Sequence, residues 1–141
     1  MTERAAGFVV FKRVDGLVKY LLLQASDQDH HWTPPKGHLD EGETDLDAAI
    51  RETREESGLQ PQDYAIIPDF RHVMRYLAHG KPKEVVYMLA ELRNDDTQVR
   101  LSEEHMKFDW CPLLEACQLV KYPDAISLLQ EVEAFLARRQ R

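Results

Sequence analysis

The segment from Gly37 to Leu59, GHLDEGETDLDAAIRETREESGL, reads as a loop that leads into a capped helix. Thr44 is a natural N-cap, and Asp45 and Asp47 fall in the first turn, where the helix dipole favours acids. Gly58 supplies the left-handed residue that stops a helix. The spacing predicts a helix from Thr44 to about Ser57, with Leu46, Ala49, Ile50, Thr53 and Ser57 on one face. Glu52 and Glu56 lie on one flank of that face, and Glu55 lies further round. Carboxylates three and four residues apart repel one another. Two arrangements offset that cost. One is a solvated helix face with pairs such as Arg51–Glu55, each worth about 0.2–0.5 kcal/mol. The other is a hard divalent cation held by oxygen ligands, magnesium first and manganese second. The helix by itself leaves both open.

The rest of the chain reads as strands interleaved with helices. Ala6–Lys12 and Lys19–Gln24 flank the turn-like Val14-Asp15-Gly16, the pattern of a hairpin. His30–His38, HHWTPPKGH, is expected to be a loop, because adjacent prolines prevent a helix and Gly37 permits an unusual backbone angle. Strands are expected at Tyr64–Phe70, Val73–Leu77, Glu84–Leu92 and Phe108–Cys111, with a turn at Asn94-Asp95-Asp96. Pro112 opens a short helix. From Asp124 to Arg139, Ile126, Leu129, Val132 and Leu136 mark a terminal helix packed on the sheet. The fold class is therefore α/β or α+β, with a mixed β-sheet. A length of 141 residues suits one domain, 1–141.

The chain carries 18 basic and 25 acidic residues, a net charge of −7, which opposes a broad basic footprint for nucleic acid. No stable nucleic-acid partner is expected. An acidic protein still binds phosphates where its positive charge is gathered locally or where it recruits metal. Cys111 and Cys117 are expected to be reduced core residues, since two thiols make no disulfide framework and their spacing suggests no zinc site. The N-terminus MTERAAGFVVF lacks the features of a signal peptide, and no run approaches the roughly 20 apolar residues that span a bilayer. The expected location is the cytoplasm, with the nucleus second.

Around the glutamates the spacing is Gly37-x5-Glu43-x7-Arg51-Glu52-x2-Glu55-Glu56-x-Gly58-Leu59. This resembles the Nudix box, whose fixed positions are all matched. The one departure is Thr53, where the pattern has a bulky aliphatic residue. The resemblance implies a Nudix fold, a mixed sheet sandwiched between helices, and a metal-dependent hydrolase of nucleoside diphosphates linked to another moiety. It implies that Glu52 and Glu56 ligate metal and that Glu55 ligates metal or orients the attacking water. It also implies that Glu43 and Arg51 join loop to helix.

LLLQAS (21–26), HHWTPPKGH (30–38), GKPKEVVYMLAEL (80–92) and LSEEHMKFDW (101–110) resemble the animal-type Nudix branch that cleaves diadenosine tetraphosphate asymmetrically to ATP and AMP. The implied partner is thus a small-molecule dinucleoside polyphosphate, and a monomer is expected. His31, Lys36, Lys81 and Lys83 can collect positive charge for the polyphosphate, or Lys81 and Lys83 can belong to an ordinary exposed turn. Tyr87 either gives its hydroxyl to phosphate or packs in the sheet. By resemblance Tyr76 and Tyr122 sandwich an adenine, a contact worth roughly 1–3 kcal/mol per base. Trp32 is expected to anchor its loop in the core. The resemblance also implies a metal ligand from outside the box, a glutamate before a histidine, which selects Glu104 over Glu103 because it directly precedes His105; the alternative is a solvated acidic turn. Within the same chemistry the alternatives are capped RNA ends, diphosphoinositol phosphates and damaged nucleotides. A non-catalytic nucleotide-binding module is the remaining class.

Overall fold

In the computed structural model, which describes residues 2–27 and 29–139, seven strands form one mixed sheet. The strands are β1 (Glu3–Val14), β2 (Leu17–Ala25), β3 (Trp32–Thr33), β4 (Lys36–His38), β5 (Tyr64–Ala78), β6 (Lys81–Leu92) and β7 (His105–Cys111). The helices are α1 (Asp45–Ser57), α2 (Leu113–Val120) and α3 (Pro123–Arg139). The sheet runs β3-β2-β1-β6-β5, with β4 on β1 and β7 on β2. Strands β1 and β6 are parallel and every other pair is antiparallel.

Both faces of the sheet are covered. Val9, Phe11, Tyr20, Leu22, Val85 and Leu89 turn toward α2 and α3, where Leu128, Leu129, Val132 and Leu136 meet them. Phe8, Val10, Leu21, Leu23, Val86 and Ala90 turn the other way and pack with Ala48 and Ala49 of α1. Burial on both faces explains why FVVF and LLL are unbroken apolar runs. No helix among the described residues is long and apolar enough to cross a membrane.

The expected β1–β2 hairpin forms, with Val14 opposite Leu17. Three expectations need correction. His30–His38 is not all loop, because Trp32–Thr33 pairs with β2 and Lys36–His38 pairs with β1 across Ala5–Gly7. The prolines separate these two short strands rather than forbidding them. The segments 64–70 and 73–77 are one bent strand, β5, whose pairing shifts between Ile67 and His72 and whose Asp69 has φ 72°. On α1, Leu46 is exposed and Glu56 is buried, so the buried face is rotated toward the carboxylates. Cys111 is buried and Cys117 half-buried, both as free thiols.

Candidate active site

Helix α1 is built as its sequence requires. Thr44 Oγ1 accepts from the Asp47 N–H at 3.1 Å, Asp47 accepts from the Thr44 N–H in return, and Gly58 ends the helix at φ 77°. Arg51 then ties the preceding loop to the helix. Its Nε donates to Glu43 Oε2 at 2.7 Å, and its Nη2 donates to Glu43 Oε1 at 2.9 Å and to the His38 carbonyl at 2.8 Å. These hydrogen bonds, with one from the Asp40 N–H, hold the Glu43 carboxyl down at about 2. Arg51 Nη1 also reaches both oxygens of Glu55 at 3.2 Å.

Gly37 is expected to serve an unusual backbone angle, but its φ is not positive. Its role is close approach: a Cβ there would lie 1.8 Å from Glu52 Oε2. The missing side chain lets the Glu52 carboxylate lie against β4. Beside it, the Lys36 N–H donates to Glu56 Oε1 at 3.1 Å. Glu56 is only 8% exposed. Burial pushes its carboxyl up to about 8, and the charges of Glu52 and Glu104 add to that shift. Burial raises Glu52 as well, followed by Glu55 and Glu104.

Glu52, Glu55, Glu56 and Glu104 therefore line one polar cavity of about 360 Å³, together with Lys36 and Lys83. Among the described residues no three of the acids are already closed into a metal cage. The donor set nevertheless fits a hard divalent cation. It consists of carboxylate oxygens, two of them desolvated, in a site with excess negative charge. Glu104 enters because the Ser26 N–H donates to its carbonyl at 2.8 Å, at the bulge where β7 leaves β2. Glu103 lines none of the cavities around this cluster.

A second cavity, about 550 Å³, is lined by Tyr76, Tyr122, Tyr87, Trp32, His31 and Lys36 among others. Tyr76 comes from β5 and Tyr122 from the turn between α2 and α3, and both stay exposed, at 36% and 55%. Trp32 packs against the core as expected. Tyr87 is buried to 3% exposure on the α3 side of the sheet, with its hydroxyl acidity suppressed by burial. His31 Nε2 lies 2.9 Å from the Tyr122 hydroxyl, and the two rings meet edge-on at 5.1 Å. Lys83 faces the carboxylate cavity, whereas Lys81, near the β5–β6 turn, lines neither cavity.

A third cavity of about 510 Å³ lies against Glu56 and Glu104 and adds Ser26, Asp27 and His105. His105 Nε2 is 4.0 Å from Glu56 Oε1. Local sequence pattern did not single out these three residues. Their one signal is adjacency, since His105 follows Glu104 and Ser26-Asp27 directly follows β2.

A NUDIX domain model matches residues 1–132. The asymmetrical bis(5′-nucleosyl)-tetraphosphatase of Mus musculus is 46% identical over 142 aligned residues, covering 96% of this chain and 97% of the mouse protein. That of Caenorhabditis elegans is 47% identical over 137, covering 97% and 99%. A crystal structure of a C. elegans Ap4A hydrolase binary complex superimposes with a TM-score of 0.94 at 46% identity, covering 96% of this chain and 98% of that one.

Proposed function

The chain belongs to the Nudix family, and on that footing we propose that it hydrolyses diadenosine tetraphosphate asymmetrically to ATP and AMP. The observation that carries this reading is the position of Lys36. It lines both the carboxylate cavity and the aromatic one, so a polyphosphate crossing it joins an acidic centre to a base-binding cleft. The near full-length similarity to asymmetrical bis(5′-nucleosyl)-tetraphosphatases supports the same substrate.

In this reading Glu52, Glu55, Glu56 and Glu104 hold magnesium, with manganese as the second candidate. When bound, the cation neutralises the polyphosphate and makes water more acidic. The protein supplies the rest. Arg51 keeps Glu43 and Glu55 fixed, and the Lys36 N–H orients the buried Glu56 carboxylate. Lys36, Lys83 and His31 offer cationic or donor groups to the phosphates, with Lys81 at the outer edge. Tyr76 and Tyr122 take one adenine between them, and Tyr87 forms part of that cleft's wall.

None of the four glutamates lines the aromatic cavity, so in this reading an adenine held there leaves the far end of the tetraphosphate to reach them. Water oxygen bonds to the phosphorus nearest the other adenosine, the bond to the bridging oxygen breaks, and ATP departs from the aromatic side. We further propose that residues 1–141 act as one domain, as a monomer in the cytoplasm, on a free nucleotide.

The test is incubation of the pure protein with magnesium and diadenosine tetraphosphate, followed by chromatography. Equal ATP and AMP are expected. Two ADP would mean a symmetric cut and a wrong site geometry. Intact substrate with a folded protein would redirect the search to other Nudix substrates.

A further inference from the structure

The third cavity has no role in the reading above, which leaves one end of the substrate without a seat. A dinucleoside tetraphosphate has two nucleosides, and the aromatic cavity takes one. The phosphorus attacked lies next to the other nucleoside. The ribose of that nucleoside must then sit directly against the carboxylate cluster. The third cavity satisfies this constraint, because Glu56 and Glu104 form part of its wall and Lys36 links it to the phosphate path. Its volume of about 510 Å³ lies within the usual range for small-molecule sites.

Its chemistry differs from that of the aromatic cleft. No tyrosine, tryptophan or phenylalanine lines it, and the rings it presents are the smaller imidazoles of His31 and His105. It also offers Ser26 and Asp27. The His30 N–H donates to Asp27 Oδ1 at 3.1 Å, which orients the carboxylate and leaves most of its acceptor capacity for a ligand. An acidic side chain beside a phosphate site is the usual reader of a ribose hydroxyl pair, since a carboxylate accepts from the hydroxyls where it would repel phosphate. Resting on the proposed asymmetric hydrolysis, we infer that this cavity seats the nucleoside of the AMP half and that Asp27 accepts hydrogen bonds from its ribose hydroxyls. The two ends are therefore read differently. The ATP half is read by its base and the AMP half by its sugar.

A mixed substrate tests this by internal competition. P1-(adenosine)-P4-(2′-deoxyadenosine) tetraphosphate can be cut to dATP and AMP, with the ribose in the polar cavity, or to ATP and dAMP, with the deoxyribose there. Chromatography gives the ratio of the two product pairs. That ratio is set only by molecules that turn over, so it is insensitive to a loss of folded protein. The expected result is that Asp27→Ala lowers the ratio of dATP plus AMP to ATP plus dAMP by about tenfold, the scale of a hydrogen bond to a charged group. An unchanged ratio, with diadenosine tetraphosphate still cut to ATP and AMP, overturns this inference and leaves the asymmetric hydrolysis standing. Failure of the wild-type protein to cut diadenosine tetraphosphate overturns both.

Discussion

A Cβ on Gly37 would lie 1.8 Å from Oε2 of Glu52, so the glycine of β4 and the glutamate of α1 occupy one another's space. The atom met is the end of a flexible side chain, which moves at small cost. Gly37→Ala should therefore fold with little loss of stability and still lose activity, about tenfold or more, because the carboxylate is displaced from its working position. Gly7 is the contrast. A Cβ there would meet the Pro35 carbonyl oxygen at 2.0 Å and Lys36 Cα at 2.8 Å, which is backbone that cannot swing aside. Gly7→Ala should destabilise by about 1–3 kcal/mol. Melting curves and turnover rates of the two variants check the contrast; equal stability losses would contradict it.

Glu56→Gln should move activity and stability in opposite directions. A carboxylate 8% exposed, with one backbone N–H as partner, is costly to keep charged in the metal-free protein. The neutral amide should raise the melting temperature measured in chelator. The same change should cut turnover by about a hundredfold or more, because an oxygen ligand is lost. Near-normal turnover with magnesium would remove Glu56 from the proposed metal ligands.

Thr53 occupies the one box position that departs from the aliphatic pattern, and its buried Oγ1 has no hydrogen-bond partner among the described residues. Thr53→Val keeps the branched shape and removes an unsatisfied hydroxyl. The variant should gain about 1 kcal/mol of stability in chemical denaturation. A loss would show that the hydroxyl is satisfied by an ordered water.

The Glu43–Arg51 pair makes stability depend on acid. The Glu43 carboxyl lies at about 2 in the folded chain, below its ordinary value of 4.5, chiefly because Arg51 donates to it. A depressed carboxyl stabilises the fold fully above its unfolded value, and that contribution is lost as pH falls through the folded one. Melting temperature should thus drop between about pH 4.5 and 2, and Glu43→Gln should flatten part of that slope. Identical acid limbs for the two proteins would mean the pair does not act in this way.

Tyr76→Ala and Tyr122→Ala should each raise KM for diadenosine tetraphosphate by about fivefold or more, with a smaller effect on kcat, if each ring stacks on the adenine. Tyr122→Phe separates stacking from the contact with His31, because it keeps the ring and removes the hydroxyl 2.9 Å from Nε2. An unchanged KM in Tyr76→Ala would remove that residue from the cleft.

Local rules made much of this molecule legible. The cap at Thr44, the stop at Gly58 and the spacing of Glu52, Glu55 and Glu56 depend on residues within one helical turn of each other, so the chain's order alone specifies them. The β1–β2 hairpin and α3 follow from short-range periodicity in the same way. The errors came where a local rule met a distant partner. His30–His38 lacks helical character, and pairing with β1 and β2 turned parts of it into strand. Segments 64–70 and 73–77 look separate across Arg71-His72, yet pairing with β6 carries one strand through, with its bend at Asp69.

The capped acidic helix, the Nudix spacing and the β1–β2 hairpin are set by the chain's own order, because each is written in residues near one another. Only the tertiary structure decided which side chains share a cavity. Glu104 joins Glu56, Lys83 joins the acids while Lys81 does not, and Asp27 opens onto the carboxylates. It also decided why Gly37 must be glycine, since the atom it makes room for belongs to a residue fifteen positions away on another element. These outcomes rest on strand pairing and on which face each element buries, and both are settled by packing across the whole core.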